Sequence, residues 1–269
     1  MSKQLFVLSI FILVGNIFGS TIIYKMDADV NKDKFSVGKS QLYNKDSYQG
    51  KNSYFIKGRN YLLSPKILKI KPNEKYKASL YVKALGNMPS IIYAGWVCYN
   101  NDGKVIPSNA FHSVKNTITS VIETCKIGSK IIKVKDASKW KKGTIYCIAI
   151  NAKKDNSDLP NYLTYPIDKI ENVNNEWQIV LKNPTTVNIS KETLVREHIK
   201  GGDFLFCSGK IIYPSEWEKI ESIWYWGKEI RKAEAIQFVI ITNLGKEFNY
   251  GQILIDNLTL KIQKGNIEF

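Results

Sequence analysis

Apolar and polar residues alternate along most of this chain with a period of two, the spacing of a strand that buries one face. From Lys75 to Leu85, Tyr76, Ala78, Leu80 and Val82 fall on one side, and Lys77, Ser79, Tyr81 and Lys83 on the other. Ser90 to Tyr99 repeats the pattern, with Ile92, Ala94, Trp96 and Cys98 opposite Tyr93, Gly95, Val97 and Tyr99. Asn100-Asn101-Asp102-Gly103 then supplies a turn, and Lys104 to Ile106 resumes as a strand. Phe204 to Ser208, Trp217 to Trp226, Ala235 to Thr242 and Gln252 to Ile262 read as further strands, punctuated by Pro72-Asn73 and Asn243-Leu244-Gly245. No stretch sustains a helical period. Short strands separated by turn signals predict an all-β sandwich or barrel.

The texture changes between residues 113 and 201. This stretch predicts its own strands at Lys130 to Lys135, Gly143 to Asn151, Pro166 to Asn172, Glu176 to Leu181 and Leu194 to Ile199, with Asn174-Asn175 as a hairpin tip. A segment this long with its own strand set is an inserted β subdomain rather than a loop. Closing such an insertion costs little if its two ends lie close together. The expected organisation is a leader over 1–19, a sandwich over 20–112 and 202–269, and the insertion over 113–201. The leader follows from a basic start ending at Lys3, an apolar run from Leu5 to Val14, and small residues at Gly15, Gly19 and Ser20, the order of a cleaved secretory signal. The apolar run is too short to span a membrane comfortably. The expectation is therefore an exported protein, secreted, periplasmic or held at the cell surface, without stable membrane insertion.

Three segments carry a family resemblance. Gly50-Lys-Asn-Ser-Tyr-Phe-Ile-Lys-Gly58 resembles the early strand of carbohydrate-binding modules of families 4 and 9. Leu68-Lys-Ile-Lys-Pro-Asn-Glu-Lys-Tyr-Lys-Ala-Ser-Leu-Tyr-Val-Lys83 is similar to their Pro-, Tyr- and Ser-containing strand. Trp217 and Ile253-Leu-Ile-Asp-Asn-Leu-Thr-Leu260 resemble their tryptophan and closing-strand elements. The resemblance implies a galactose-binding-like jelly-roll β-sandwich, here interrupted by an inserted β-barrel-like subdomain. It covers roughly residues 35–110 and 203–263 and says little about function, because this fold hosts many roles. It also implies a structural calcium ion, with Asp256 matching the aspartate before the last strand and Asp46 preceding the Gly50 motif. The acidic residue of the first strand is unmatched, with Asp27 and Asp29 as candidates. Gly128 to Gly143, around Trp140, looks like a small β-barrel module of phage tail and secreted polysaccharide-processing proteins, and implies no chemistry.

The formal charge of +15 favours anionic partners such as acidic or sulfated polysaccharide. The lysines are spread evenly, however, as on the wet faces of strands. Cys98, Cys125, Cys147 and Cys207 permit two disulfides by three pairings, or four buried thiols. His112 and His198 lie near the two ends of the insertion, and Arg196-Glu197-His198 is the most polar cluster beside them. No nucleophile-elbow, zinc-protease, phosphate-loop or dinucleotide pattern is present. Glu216 and Glu218 flank Trp217 on the face opposite it, and Asp155, Asn156 and Asp158 form a polar loop.

A glycan site needs aromatic planes on an open face with polar groups alongside. The candidates are Tyr81, Lys83, Tyr93 and Tyr99 on the non-core sides of two successive strands, and Trp224 and Trp226 from the densest aromatic run, with Tyr225 on the other side. The reading this favours is a non-catalytic carbohydrate-binding protein whose partner is a polysaccharide rather than nucleic acid. A structural protein using the insertion for protein contacts, and a polysaccharide hydrolase or lyase using carboxylates or His198, are the alternatives.

Overall fold

The computed structural model describes residues 20–30, 35–214 and 216–264. The leader read at residues 1–19 lies outside them. The sandwich begins with β1 (Thr21–Met26), β2 (Gln41–Tyr43), β3 (Ser53–Lys57), β4 (Asn60–Lys69), β5 (Glu74–Leu85) and β6 (Ser90–Tyr99), followed by one helical turn, α1 (Ser108–Phe111). The insertion contributes β7 (Thr119–Ser120), β8 (Ile131–Val134), β9 (Tyr146–Ile150), β10 (Thr164–Val173), β11 (Glu176–Leu181) and β12 (Leu194–Ile199). The chain returns through β13 (Leu205–Ile212), β14 (Glu218–Glu221), β15 (Tyr225–Trp226), β16 (Ala235–Thr242) and β17 (Gln252–Lys264).

Two antiparallel sheets face one another. The first runs β14-β5-β17-β3-β2, with β1 added to the far end of β17 and β15 to the near end of β5. The second runs β13-β6-β16-β4. Alternation decides what meets between them. Tyr76, Leu80 and Val82 from β5 and Ile253 and Ile255 from β17 pack against Ile92, Trp96, Ile236, Phe238 and Ile240 from the second sheet. Trp96 is fully buried, and Tyr225 meets it edge-on with ring centroids 5.3 Å apart.

The link from β5 to β6 corrects one expectation about the binding surface. Residues 86–89, starting with Gly86 at φ +73°, carry the chain from one sheet to the other instead of closing a hairpin. Tyr81 and Lys83 therefore lie on the outer face of the first sheet, and Tyr93 and Tyr99 on the opposite outer face of the molecule. They cannot share one ligand. The Trp217 to Trp226 run is also not one strand. Ser222 leaves the ladder, its Oγ accepting from the Ala78 amide at 3.0 Å, and β14 and β15 pair with β5 separately.

The insertion closes on itself. Its six strands run β7-β12-β9-β10-β11-β8, and a bridge between Val121 and Val134 joins the two ends into a small barrel. Asn174 and Asn175 take φ of +51° and +67°, as a two-residue hairpin turn requires. Ile132, Ile148, Ile150, Ile167, Ile179, Leu181 and Val195 fill a second core that shares no residue with the first. Trp140 is buried in this core, and its indole donates to the Thr117 carbonyl at 2.8 Å.

The two bodies meet through polar groups, Asn109 Nδ2 donating to Thr164 Oγ1 at 2.6 Å and the Lys232 ammonium to the Leu159 carbonyl at 2.8 Å. Within the barrel, Arg196, on β12, donates to Asp158 at 2.8 Å and to Asn156 Oδ1 at 2.6 Å, and its Nε donates to His198 Nε2 at 3.1 Å. Both partners of the Arg196–Asp158 pair are nearly inaccessible, with side chains 5% and 6% exposed. Removing one partner of such a pair strands the other charge. Asp158→Ala is expected to cost about 3–5 kcal/mol in urea unfolding, and Asp158→Asn less, because the amide oxygen still accepts.

Candidate functional site

The outer face of the second sheet carries an open aromatic cleft of about 730 Å³. Tyr61 from β4, Tyr93 from β6, Ile241 from β16 and Phe206 from β13 line it, together with Phe204 from the returning segment and Arg59 and Asn60 at its rim. Cross-strand register puts these residues side by side, since Ile241 opposes both Tyr61 and Tyr93. Phe206 meets Tyr93 edge-on at 5.9 Å and remains 50% exposed, and Tyr61 is 39% exposed. Burial is the main reason that the Tyr61 phenol is held above its ordinary pKa, so its hydroxyl stays a donor.

Glycines make room for those rings. A Cβ on Gly209 would lie 2.8 Å from the Tyr93 ring and 3.0 Å from the Phe206 ring. A Cβ on Gly95 would run into the Leu205 carbonyl and the Phe204 ring. Each sits inside a strand, where glycine costs stability unless something must approach the backbone closely. Here that something is the floor of the cleft.

Of the residues nominated from sequence, Tyr93 lines this cleft. Tyr99 lies at the other end of the same strand and is fastened down, its hydroxyl donating to Gln237 Oε1 at 2.6 Å. On the opposite sheet Tyr81 is covered by Tyr48, the rings stacked with centroids 3.4 Å apart and planes at 10°. Trp217 meets Tyr48 from the side at 6.2 Å. Lys83 is paired with Asp46 at 2.9 Å. The plane of Tyr81 and the charge of Lys83 are thus taken by the protein itself. Trp224 and Trp226 stand on the same outer face near the β15 edge, with lysine ammonium groups over their rings. Arg59, Tyr61, Phe204 and Phe206 were missed, and the signal that could have found them was the pair of in-strand glycines.

The two carboxylates nominated for calcium do not fit that ion. Asp46 Oδ1 accepts from the Trp217 indole at 2.9 Å and Oδ2 from the Lys83 ammonium. Burial opposes ionisation of Asp46, but the Lys83 and Trp217 hydrogen bonds outweigh it and leave its pKa low. A cation at Asp46 would have to displace an ammonium group. Asp256 is fully buried and accepts from the backbone N–H groups of Tyr48, Gln49 and Asn257 at 3.1, 3.0 and 2.7 Å. Its pKa is raised, chiefly by burial. Calcium needs six to eight oxygens with free lone pairs. Among the described residues no group of three or more acidic, histidine or cysteine side chains is arranged to hold a metal.

The histidines come to the same junction without bonding to each other. His112 Nδ1 pairs with Ser108 Oγ at 3.2 Å, and His198 Nδ1 with the Asn109 carbonyl at 2.7 Å. Arg196 Nε can only donate, so His198 Nε2 accepts and Nδ1 carries the proton. Both ring nitrogens are spent, the ring is fully buried, and burial depresses its pKa to about 4. His198 has no lone pair left to act as a base. Glu197, on the other side of β12, is also fully buried. Its Oε1 accepts from the Lys141 amide at 2.8 Å, and its Oε2 has no partner among the described residues. Burial raises its pKa to about 7. All four cysteines are free thiols.

Fold and cleft together define a two-sheet β-sandwich that carries a barrel on one connection and an open aromatic groove on one outer face. No family model matches the sequence, and no curated protein matches it. Among solved structures, the chain is similar to the CBM22-1 xylan-binding domain of Paenibacillus barcinonensis Xyn10C, at 10% identity and a TM-score of 0.41, over 92% of this chain and 97% of that one. It is similar to the CBM22-1–GH10 modules of Clostridium thermocellum xylanase 10B, at 12% identity and 0.36, over 91% of this chain and 26% of that one. It is also similar to a lectin from Bauhinia forficata, at 11% identity and 0.26, over 85% of this chain and 100% of that one. The fold assignment rests on the strand order and the two cores, not on these likenesses.

The junction carries opposed pH dependences. The raised pKa of Glu197 contributes stability below about pH 4.5 that is lost as pH rises through about 7. The depressed pKa of His198 contributes stability above about pH 6.5 that is lost as pH falls through about 4. The two slopes offset each other through roughly pH 5–6, so the net loss is expected between roughly pH 6.5 and 7.5. Glu197→Gln is expected to abolish that loss and to gain on the order of 2 kcal/mol at pH 8, read from urea midpoints across pH.

Proposed function

We propose that this chain is an exported, non-catalytic carbohydrate-binding protein that holds a polysaccharide along the cleft on its second sheet. The aromatic lining of that cleft carries the proposal. Tyr61, Tyr93, Phe204 and Phe206 present ring surface to solvent on one face, where the C–H faces of pyranose rings can pack. Asn60 and the Tyr61 hydroxyl supply the polar groups that orient such a ligand. The leader pattern at Met1 to Ser20 supports export.

Arg59 is the charged residue among the described residues lining the cleft, and Asp203, whose charge acts on Tyr61, is a single carboxylate beside it. Glycoside hydrolysis needs two carboxyl groups across the scissile bond. The lining therefore supports binding over cleavage. Arg59 and the overall charge of +15 favour an acidic or sulfated chain.

Calorimetry against neutral, uronic and sulfated polysaccharides tests the proposal. Phe206→Ala and Tyr93→Ala should each weaken binding by about 30-fold, on the order of 2 kcal/mol, if they are central contacts. Gly209→Ala should weaken it without removing any contacting group, by displacing both rings. Absence of binding to all three polymer classes would sink the proposal. An oligomer that binds no glycan and becomes monomeric when residues 113–201 are excised would favour assembly through the insertion instead.

A further inference from the structure

The first sheet bears a second feature on the face turned away from the cleft. Trp226, on β15, pairs with Lys75 of β5. The Lys75 ammonium lies 4.5 Å from the centre of the Trp226 indole, and the Lys228 ammonium lies 5.9 Å from the same centre. The ring's π face attracts each cation, which holds two like charges on one platform. The other two lysines of β5 are neutralised, Lys77 by Glu221 at 3.1 Å and Lys83 by Asp46. Among the described residues neither Lys75 nor Lys228 has a carboxylate within ion-pair distance. The acidic side chains next to them in sequence are engaged elsewhere, Glu74 by the Tyr76 hydroxyl at 2.7 Å and by Lys71 at 3.5 Å, and Glu229 by the Trp226 amide at 3.0 Å.

We propose that Lys75, Lys228 and Trp226 form a second site, which takes the sulfate or carboxylate groups of an anionic polysaccharide. Charge complementarity selects the occupant. Two ammonium groups gathered at one indole repel one another, and an anion bound beside them offsets that repulsion. The indole is engaged by the cations, so this site reads charge rather than a sugar plane, unlike the cleft. Because the two sites lie on opposite faces of the sandwich, one molecule could engage two chains at once. The choice of a polysaccharide rests on the proposed function, whereas the site itself does not.

The test measures retention on immobilised heparin and on polygalacturonate as a function of salt, using the full chain. Lys75→Gln/Lys228→Gln is expected to weaken binding at least 5-fold and to flatten the salt dependence by roughly 1.5 in log–log slope. Trp226→Ala is expected to weaken it several-fold, because the ammonium groups lose their platform. Phe206→Ala removes no charge, so it is expected to leave the log–log salt slope unchanged, and it lowers overall retention only where the cleft also binds the polymer. Lys130→Gln/Lys182→Gln, on the barrel, serves as the control for diffuse charge. An equal loss in that control, or no loss in the Lys75/Lys228 pair, would overturn the second site. Retention by nucleic acid or anionic vesicles alone would overturn its assigned occupant.

Discussion

One buried guanidinium ties together the two strands of chain that lead into and out of the barrel. Arg231 is fully buried; one of its amino groups donates to the Ile106 carbonyl at 3.0 Å and the other to the Phe204 carbonyl at 2.8 Å. Ile106 precedes the insertion and Phe204 follows it. An insertion of this length is tolerated when its ends are held close together, and Arg231 holds them together with the Ser108 hydroxyl, which accepts from the Gly201 amide at 2.8 Å. Lys232, its neighbour, adds a bond to the Leu159 carbonyl on the barrel side, at 2.8 Å. Burying an arginine without a paired carboxylate is costly, so the carbonyls it satisfies must be firmly placed in return. Phe204 is also part of the cleft. The constraint that closes the insertion therefore also fixes one wall of the candidate site.

The two outer faces show how one sequence pattern leads to different surfaces. Both sheets place tyrosines outward in alternation with core residues. On the first sheet the loop over residues 44–52 folds across the surface, pinned by the Tyr48 and Gln49 amides on Asp256, and lays the Tyr48 ring on Tyr81. On the second sheet Gly95 and Gly209 remove side-chain bulk at the centre, and the rings around them stay open to solvent. A buried carboxylate closes one face, and two missing methyl groups open the other.

At the junction the polar cluster works as structure. Arg196 bonds both Asp158 and His198, and both histidines are tied to the helical turn between β6 and the barrel. Glu197 is the exception, since one of its oxygens lacks a partner among the described residues and burial favours its neutral form. Its position beside a saturated network makes proton binding there a matter of stability, not of chemistry.

Much of the fold was legible because alternation is a local property. The faces of β5 and β6, the strand at β16, the hairpin at Asn174-Asn175 and the strands within residues 113–201 follow from residue order and elementary propensities. The grouping of outward residues was not legible. Tyr81 and Tyr93 carry the same strand signal twelve positions apart, and only the crossing at residues 86–89 places them on opposite sides of the molecule. Ser222 breaks what reads as one strand because its hydroxyl substitutes for a ladder partner at Ala78. Tyr61, Tyr93 and the Phe204–Phe206 pair come from three distant segments and meet only through the order β13-β6-β16-β4. The sequence by itself determined an all-β chain with an insertion and a surplus of positive charge, since periodicity and composition need no partner strand. Which aromatics stay open, which carboxylates are saturated and which lysines lack a counter-charge were decided by tertiary structure, because each depends on what long-range pairing brings within a few ångströms.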